Sequence, residues 1–202
     1  MKLQHFLYVV FIFLVIFFLG IYWIIPIKVN PMKTPTLDSN FNINKLEKTE
    51  MQFYPNMRYP NSNISYRIDQ CSLNKQNSVK YAFEILSNKT ILSFYPVNSS
   101  EEIFITCNEK NKLKGGLFIA GEGGPVNITN LGEITIILTG KVLLIKDSKC
   151  EFPNIALHEL LHALGFKHSL NPKNIMYNVT KCEQRIGEEI PGEIKRLYSI
   201  QV

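Results

Sequence analysis

The first apolar stretch, Phe6 to Ile25 (FLYVVFIFLVIFFLGIYWII), contains no charged residue. A run of that length spans a bilayer as a helix, and apolar character on every face argues against a buried core helix. It ends in bulky Tyr22, Trp23, Ile24 and Ile25 rather than the small residues of a cleavage site. The pattern predicts an uncleaved transmembrane helix within an anchor over 1–27, with a cleaved signal peptide as the alternative. Lys2 on one side and Lys28 and Lys33 on the other leave the orientation open. From 28 to 63 the chain is rich in Asn, Pro, Lys and Thr, with prolines at 31, 35, 55 and 60, which predicts a stalk with little regular structure.

Beyond it the periodicity changes. Ile64 to Ile68 predicts a strand, and Val79, Ala82, Phe83 and Leu86 share one face of a helix over 78–86. Ile91 to Val97 and Ile103 to Cys107 predict two more strands. Leu117 to Ala120 leads into Gly121-Glu-Gly-Gly-Pro125, expected as a bulge or tight loop. Ile134 to Thr139 and Val142 to Ile145 read as the arms of a hairpin. Only helix signals follow: one from Pro153 to Leu164, stopped by Gly165, and one from about Glu188 carrying Ile190, Ile194 and Leu197. The expected fold is α+β over 64–202: a twisted mixed β-sheet with an early helix, a helix bearing the chemistry and a C-terminal helix.

Composition changes this picture in one respect. Cys71, Cys107, Cys150 and Cys182 all follow the apolar run, as expected of a domain exported to an oxidising compartment. Four cysteines allow three pairings. Cys71–Cys107 and Cys150–Cys182 are favoured because each pair brackets a coherent unit, while a four-cysteine metal site lacks any CxxC spacing. Sequons at Asn63, Asn88, Asn98, Asn127 and Asn178 are candidate glycosylation sites, or coincidence in an Asn-rich chain. The net charge of +5 comes with no Lys/Arg block, so no nucleic-acid partner is indicated.

The candidate chemistry lies in residues 158–168, HELLHALGFKH, which hold three of the chain's four histidines. On a helix His158 and His162 lie one turn apart on one face, so both imidazoles can hold one ion. Glu159 points to the side, where its carboxylate can reach a water without displacing a ligand. A third ligand requires the helix to stop and the chain to turn back. Gly165 permits that by adopting positive φ at low cost, which returns His168 to the ion. Three neutral histidines leave a fourth position open, the geometry of a catalytic rather than a structural zinc site. His5, ahead of the apolar run, is not a candidate.

This H-E-x-x-H-x-x-G-x-x-H pattern resembles the signature of the metzincin zinc metallopeptidases, and Asn174-Ile175-Met176-Tyr177 is similar to their Met-turn. The short spacing from His168 to the Met, Ser169 directly after His168, and the Met-Tyr pair resemble the matrixin branch best. Asn178 stands where matrixins usually have Pro and where other branches place a Tyr. The resemblance implies one catalytic zinc on His158, His162 and His168, Glu159 as base, and Met176 as an apolar floor. It implies a peptide or protein substrate bound extended along a sheet edge, with Leu117 to Ala120 as the candidate edge. No cysteine-switch motif and no Asp-rich calcium loop is visible, so latency and calcium need stay open, as does oligomeric state. The expected function is a membrane-anchored, extracytoplasmic zinc endopeptidase. A catalytically silent zinc-containing binding module and a secreted protease are the alternatives.

Overall fold

The computed structural model describes residues 51–108, 112–114 and 117–200. The predicted span at 6–25 and the first part of the predicted stalk lie outside the described residues. Among the described residues no helix is long and apolar enough to cross a membrane.

In chain order the elements are β1 (Met57–Arg58), β2 (Asn63–Asp69), α1 (Leu73–Lys89), β3 (Ser93–Pro96), β4 (Ile103–Cys107), β5 (Lys112–Lys114), β6 (Leu117–Ile119), β7 (Gly121–Asn130), β8 (Thr135–Leu144), α2 (Asn154–Ala163) and α3 (Glu189–Ser199). Parallel neighbours need a crossover, and α1 supplies one by returning the chain from β2 to β3. β4 lies parallel on β2, and β8 lies parallel on β4. β7 runs antiparallel to β8 along its whole length, while short β1 pairs with the start of β8. β5 and β6 form a separate two-stranded ladder.

One hydrophobic cluster joins the sheet to the helices. Ile64, Ile103, Ile105 and Val142 meet the predicted α1 face of Val79, Ala82, Phe83 and Leu86, and α2 adds Leu157, Leu160 and Leu161. Burying each large aliphatic side chain contributes about 1.5–3 kcal/mol. That apolar face holds α2 against β7, β8 and α1, so the helix can carry buried His158, Glu159 and His162. Both favoured disulfides are formed, Cys71–Cys107 tying the approach to α1 to the end of β4 and Cys150–Cys182 bracketing α2. The five sequon asparagines are all exposed.

Three expectations change. The stretch 51–63, expected as stalk, is part of the domain: Met57 and Tyr59 are fully buried, and the buried Gln52 side chain bonds both the N–H and the C=O of Met57. Two inward residues flanked by prolines are too short a pattern to stand out before the chain is folded. The hairpin expected around Thr139-Gly140 is instead one strand, β8. Gly140 serves packing, since a Cβ there would overlap the Tyr59 hydroxyl. The actual turn is at Leu131–Ile134, closed by Leu131 N–H to the Ile134 carbonyl at 2.8 Å, with Gly132 at φ 81°. Finally, Gly121 to Pro125 is the first half of β7, and the irregularities in its pairing fall after it, between Pro125 and Asn127 and between Asn127 and Ile128.

Candidate metal centre and peptidase site

α2 ends as its sequence requires. The Gly165 N–H bonds the His162 carbonyl at 2.9 Å and the Phe166 N–H bonds the Leu161 carbonyl at 3.0 Å, with Gly165 at φ 94°. This paired closure around a left-handed glycine is the Schellman motif. The emerging chain is then pinned by the segment outside the predicted domain: Phe53 N–H bonds Gly165 and Lys167 N–H bonds Met51, at 2.9 and 2.8 Å. The Phe53 ring stacks on His162 at 5.8 Å between centroids. These contacts hold the turn that returns His168 to α2.

The three imidazoles converge through Nε2. The separations are 3.1 Å for His158–His162, 3.0 Å for His162–His168 and 3.3 Å for His158–His168. His158 Nδ1 lies 2.7 Å from the Ile175 carbonyl and His162 Nδ1 lies 2.7 Å from the Phe166 carbonyl. A carbonyl only accepts, so each Nδ1 carries the proton and each Nε2 presents a lone pair. Burial lowers the His162 pKa to about 4, helped by His158 and His168, and burial likewise lowers His158 and His168. Three neutral nitrogens facing one another repel unless a cation lies among them. Zn–N bonds of 2.0–2.1 Å at tetrahedral angles separate the ligand atoms by about 3.3 Å. The spacing and the tautomers fit zinc.

Glu159 is buried beside this cluster. Burial, then the Glu122 carboxylate, pushes its pKa up to about 8. A bound dication would act in the opposite sense by favouring the carboxylate. β7 crosses directly above it: a Cβ on Gly121 would come within 2.6 Å of Glu159 Cγ, and one on Gly123 would overlap the Glu159 carbonyl. The two glycines therefore allow a strand to lie against the helix that carries the chemistry.

Met176 is buried, and its turn orients the first histidine. Asn174 Oδ1 accepts the Met176 N–H at 2.7 Å, the Ser169 N–H bonds the Met176 carbonyl at 2.7 Å, and Ile175 supplies the carbonyl beneath His158. The Asn174 amide also donates to the Glu189 carboxylate at the start of α3. Leu117–Ile119 pairs with β5, and the Ala120 carbonyl already accepts from Ile145 and Lys146. The sheet edge at the site is β7, from Gly121 onward. A cleft of about 980 Å³ runs past Gly121, Glu122, His158, Glu159 and His168.

Sequence reasoning had brought together His158, Glu159, His162, His168, Gly165 and Met176. It missed Phe53, the hydrogen bonds that Asn174 makes within the Met-turn and to Glu189, and the packing role of Gly121 and Gly123. For the last two a signal existed, since glycines two apart in a strand lie on one face.

Two short turns and one helix thus build a three-histidine zinc site of the metzincin class, with a glutamate beside the first ligand. The sequence model of the Matrixin family matches residues 58–198. The chain belongs to that family and is a zinc metallopeptidase by family. No curated protein matches the chain.

Proposed function

We propose that the chain is an endopeptidase that cleaves extended peptide segments, with Glu159 as the proton carrier. The observation that carries this reading is the convergence of three Nε2 atoms within 3.0–3.3 Å in a cleft where Glu159 lies beneath β7, which among the described strands pairs with β8 alone. Zinc, when bound, supplies Lewis acidity to water and to the scissile carbonyl. The substrate backbone pairs with β7 and is thereby held extended across the cleft. As the water oxygen bonds the carbonyl carbon, a Glu159 carboxylate oxygen takes its proton. The same carboxyl group passes that proton to the amine nitrogen as the C–N bond breaks. Glu159→Gln in the full chain is expected to retain zinc and to lose about 10²–10⁴ in kcat/KM on unfolded protein and peptide libraries. Equal inertness of both forms would favour a binding module.

The same reading places the domain outside the cytoplasm on an N-terminal anchor. It is supported by the uncharged run at 6–25 and by two formed disulfides, which persist in oxidising compartments. Expression should yield a protein of uncleaved mass that resists carbonate extraction from membranes. A mature amino terminus beyond residue 25 would replace the anchor with a secreted enzyme.

A further inference from the structure

Two turns orient the three metal ligands. The Ile175 carbonyl of the Met-turn receives the His158 Nδ1 proton, and the Phe166 carbonyl receives that of His162. His168 leaves the same turn two residues after Phe166. The conformation of 165–167 therefore decides where two of the three Nε2 atoms lie.

That turn is held from outside α2. Gln52 and Phe166 form an antiparallel bridge, flanked by the bonds from Phe53 N–H to the Gly165 carbonyl and from Lys167 N–H to the Met51 carbonyl. The peptide group joining Phe166 to Lys167 thus gives its carbonyl to His162 and its N–H to Met51. A shift at Met51 rotates the acceptor that aligns His162. The support is itself anchored, because the buried Gln52 side chain bonds both the N–H and the C=O of Met57. Met57 in turn packs on Gly165 and pairs with Thr135 of β8. Phe53 adds its ring, which stacks on His162 with the planes 29° apart and lines the cleft beside it. Aromatic pairs favour such contact at centroid separations of about 4.5–7 Å.

We propose that Phe53 is a positioning residue for the zinc ligand His162, and that Met51–Phe53 is a strap that keeps His162 and His168 in register with His158. The inference concerns the metal site alone and stands whether or not the chain is an endopeptidase. A metal site holds its ligands to within about 0.5 Å of the productive geometry only when their rings are locked by what surrounds them. Without the Phe53 ring, the His162 imidazole is free to tilt about its bond to Phe166. Without the Phe53 N–H, the Gly165 carbonyl loses its partner and the turn carrying His168 loosens. The chain leading into the domain is thereby a working part of its metal centre.

The test measures zinc affinity of the full chain by competition with a chromophoric chelator. Phe53→Ala is expected to weaken zinc by about tenfold or more, as loss of a group that orients a ligand does. Phe53→Tyr, which keeps the ring, should stay within about twofold of wild type, as should Tyr54→Ala at the exposed neighbouring position. Phe53→Pro, which lacks the N–H, should also weaken zinc. Cobalt(II) bound in place of zinc should show an altered visible spectrum in Phe53→Ala and the wild-type spectrum in Phe53→Tyr. Urea unfolding of the metal-free proteins reads folding separately from metal affinity. If folded Phe53→Ala binds zinc within about twofold of wild type with an unchanged cobalt spectrum, or if Phe53→Tyr loses as much as Phe53→Ala, the positioning role is overturned. Should Phe53→Ala fail to fold, Phe53→Leu decides by the same criterion. Wild-type zinc affinity in Phe53→Pro would overturn the strap.

Discussion

At the residue scale, glycines separate two kinds of constraint. Gly165 combines φ 94° with a neighbour, Met57 Sδ, that a Cβ would approach to 2.7 Å. Gly132 has φ 81° but open space, and Gly124 has open space without an unusual φ. Left-handed backbone costs a residue with a Cβ about 1–2 kcal/mol, and overpacking adds about 1–3 kcal/mol. Urea unfolding should therefore rank the alanine variants: Gly165→Ala destabilised by about 2–5 kcal/mol, Gly132→Ala by about 1–2 kcal/mol, and Gly124→Ala nearly unchanged. A Gly165→Ala protein as stable as Gly132→Ala would contradict the packing half of this account.

At the scale of elements, two contacts matter: β7 on α2, and the Met-turn beneath His158. Gly123→Ala places a Cβ on the Glu159 carbonyl, so the strand must lift from the helix. It should cost about 1–3 kcal/mol and lower kcat/KM more than Gly124→Ala on the same strand. Asn174 links Met176 to Glu189 from a buried position. Asn174→Ala strands the buried Met176 N–H, an expected loss of about 1–3 kcal/mol. Because the adjacent Ile175 carbonyl orients His158, zinc affinity should also weaken by about 10–100-fold. Competition with a chromophoric chelator measures that loss, and unchanged zinc affinity would reduce Asn174 to a purely structural part.

At the scale of the whole molecule, two kinds of crosslink hold the domain. The disulfides join residues 36 and 32 positions apart, and closing loops of that size contributes about 2–4 kcal/mol each. Replacing Cys150 and Cys182 together by Ser should lower both Tm and zinc affinity, because that bridge encloses α2 and the Met-turn. Replacing Cys71 and Cys107 should lower Tm with less effect on zinc. Zinc binds the folded site in preference to the open chain, so chelation should abolish activity and lower Tm. At free zinc 1,000 times its Kd the metal contributes about 4 kcal/mol. A Tm indifferent to chelator would show that the three-histidine site does not hold the ion.

The metal ligands, Glu159, the helix stop and the order of most elements were legible in the chain because all depend on local geometry. His158, Glu159 and His162 are set by helical spacing, and Gly165 by a single dihedral. Both disulfide pairings followed from the units they bracket. What lay beyond the sequence depends on distant neighbours. Met57 and Tyr59 read as linker until Gly165, Ala163 and Gly140 come to lie against them. Gly140 and Gly121 to Gly124 read as turns, because a glycine required for close approach has the same sequence signature as one required for φ. The sequence by itself determined which atoms can hold zinc. Only the tertiary structure decided which strand lies over Glu159, and hence that Glu122 borders the cleft, because sheet order is set by long-range pairing that no local pattern encodes.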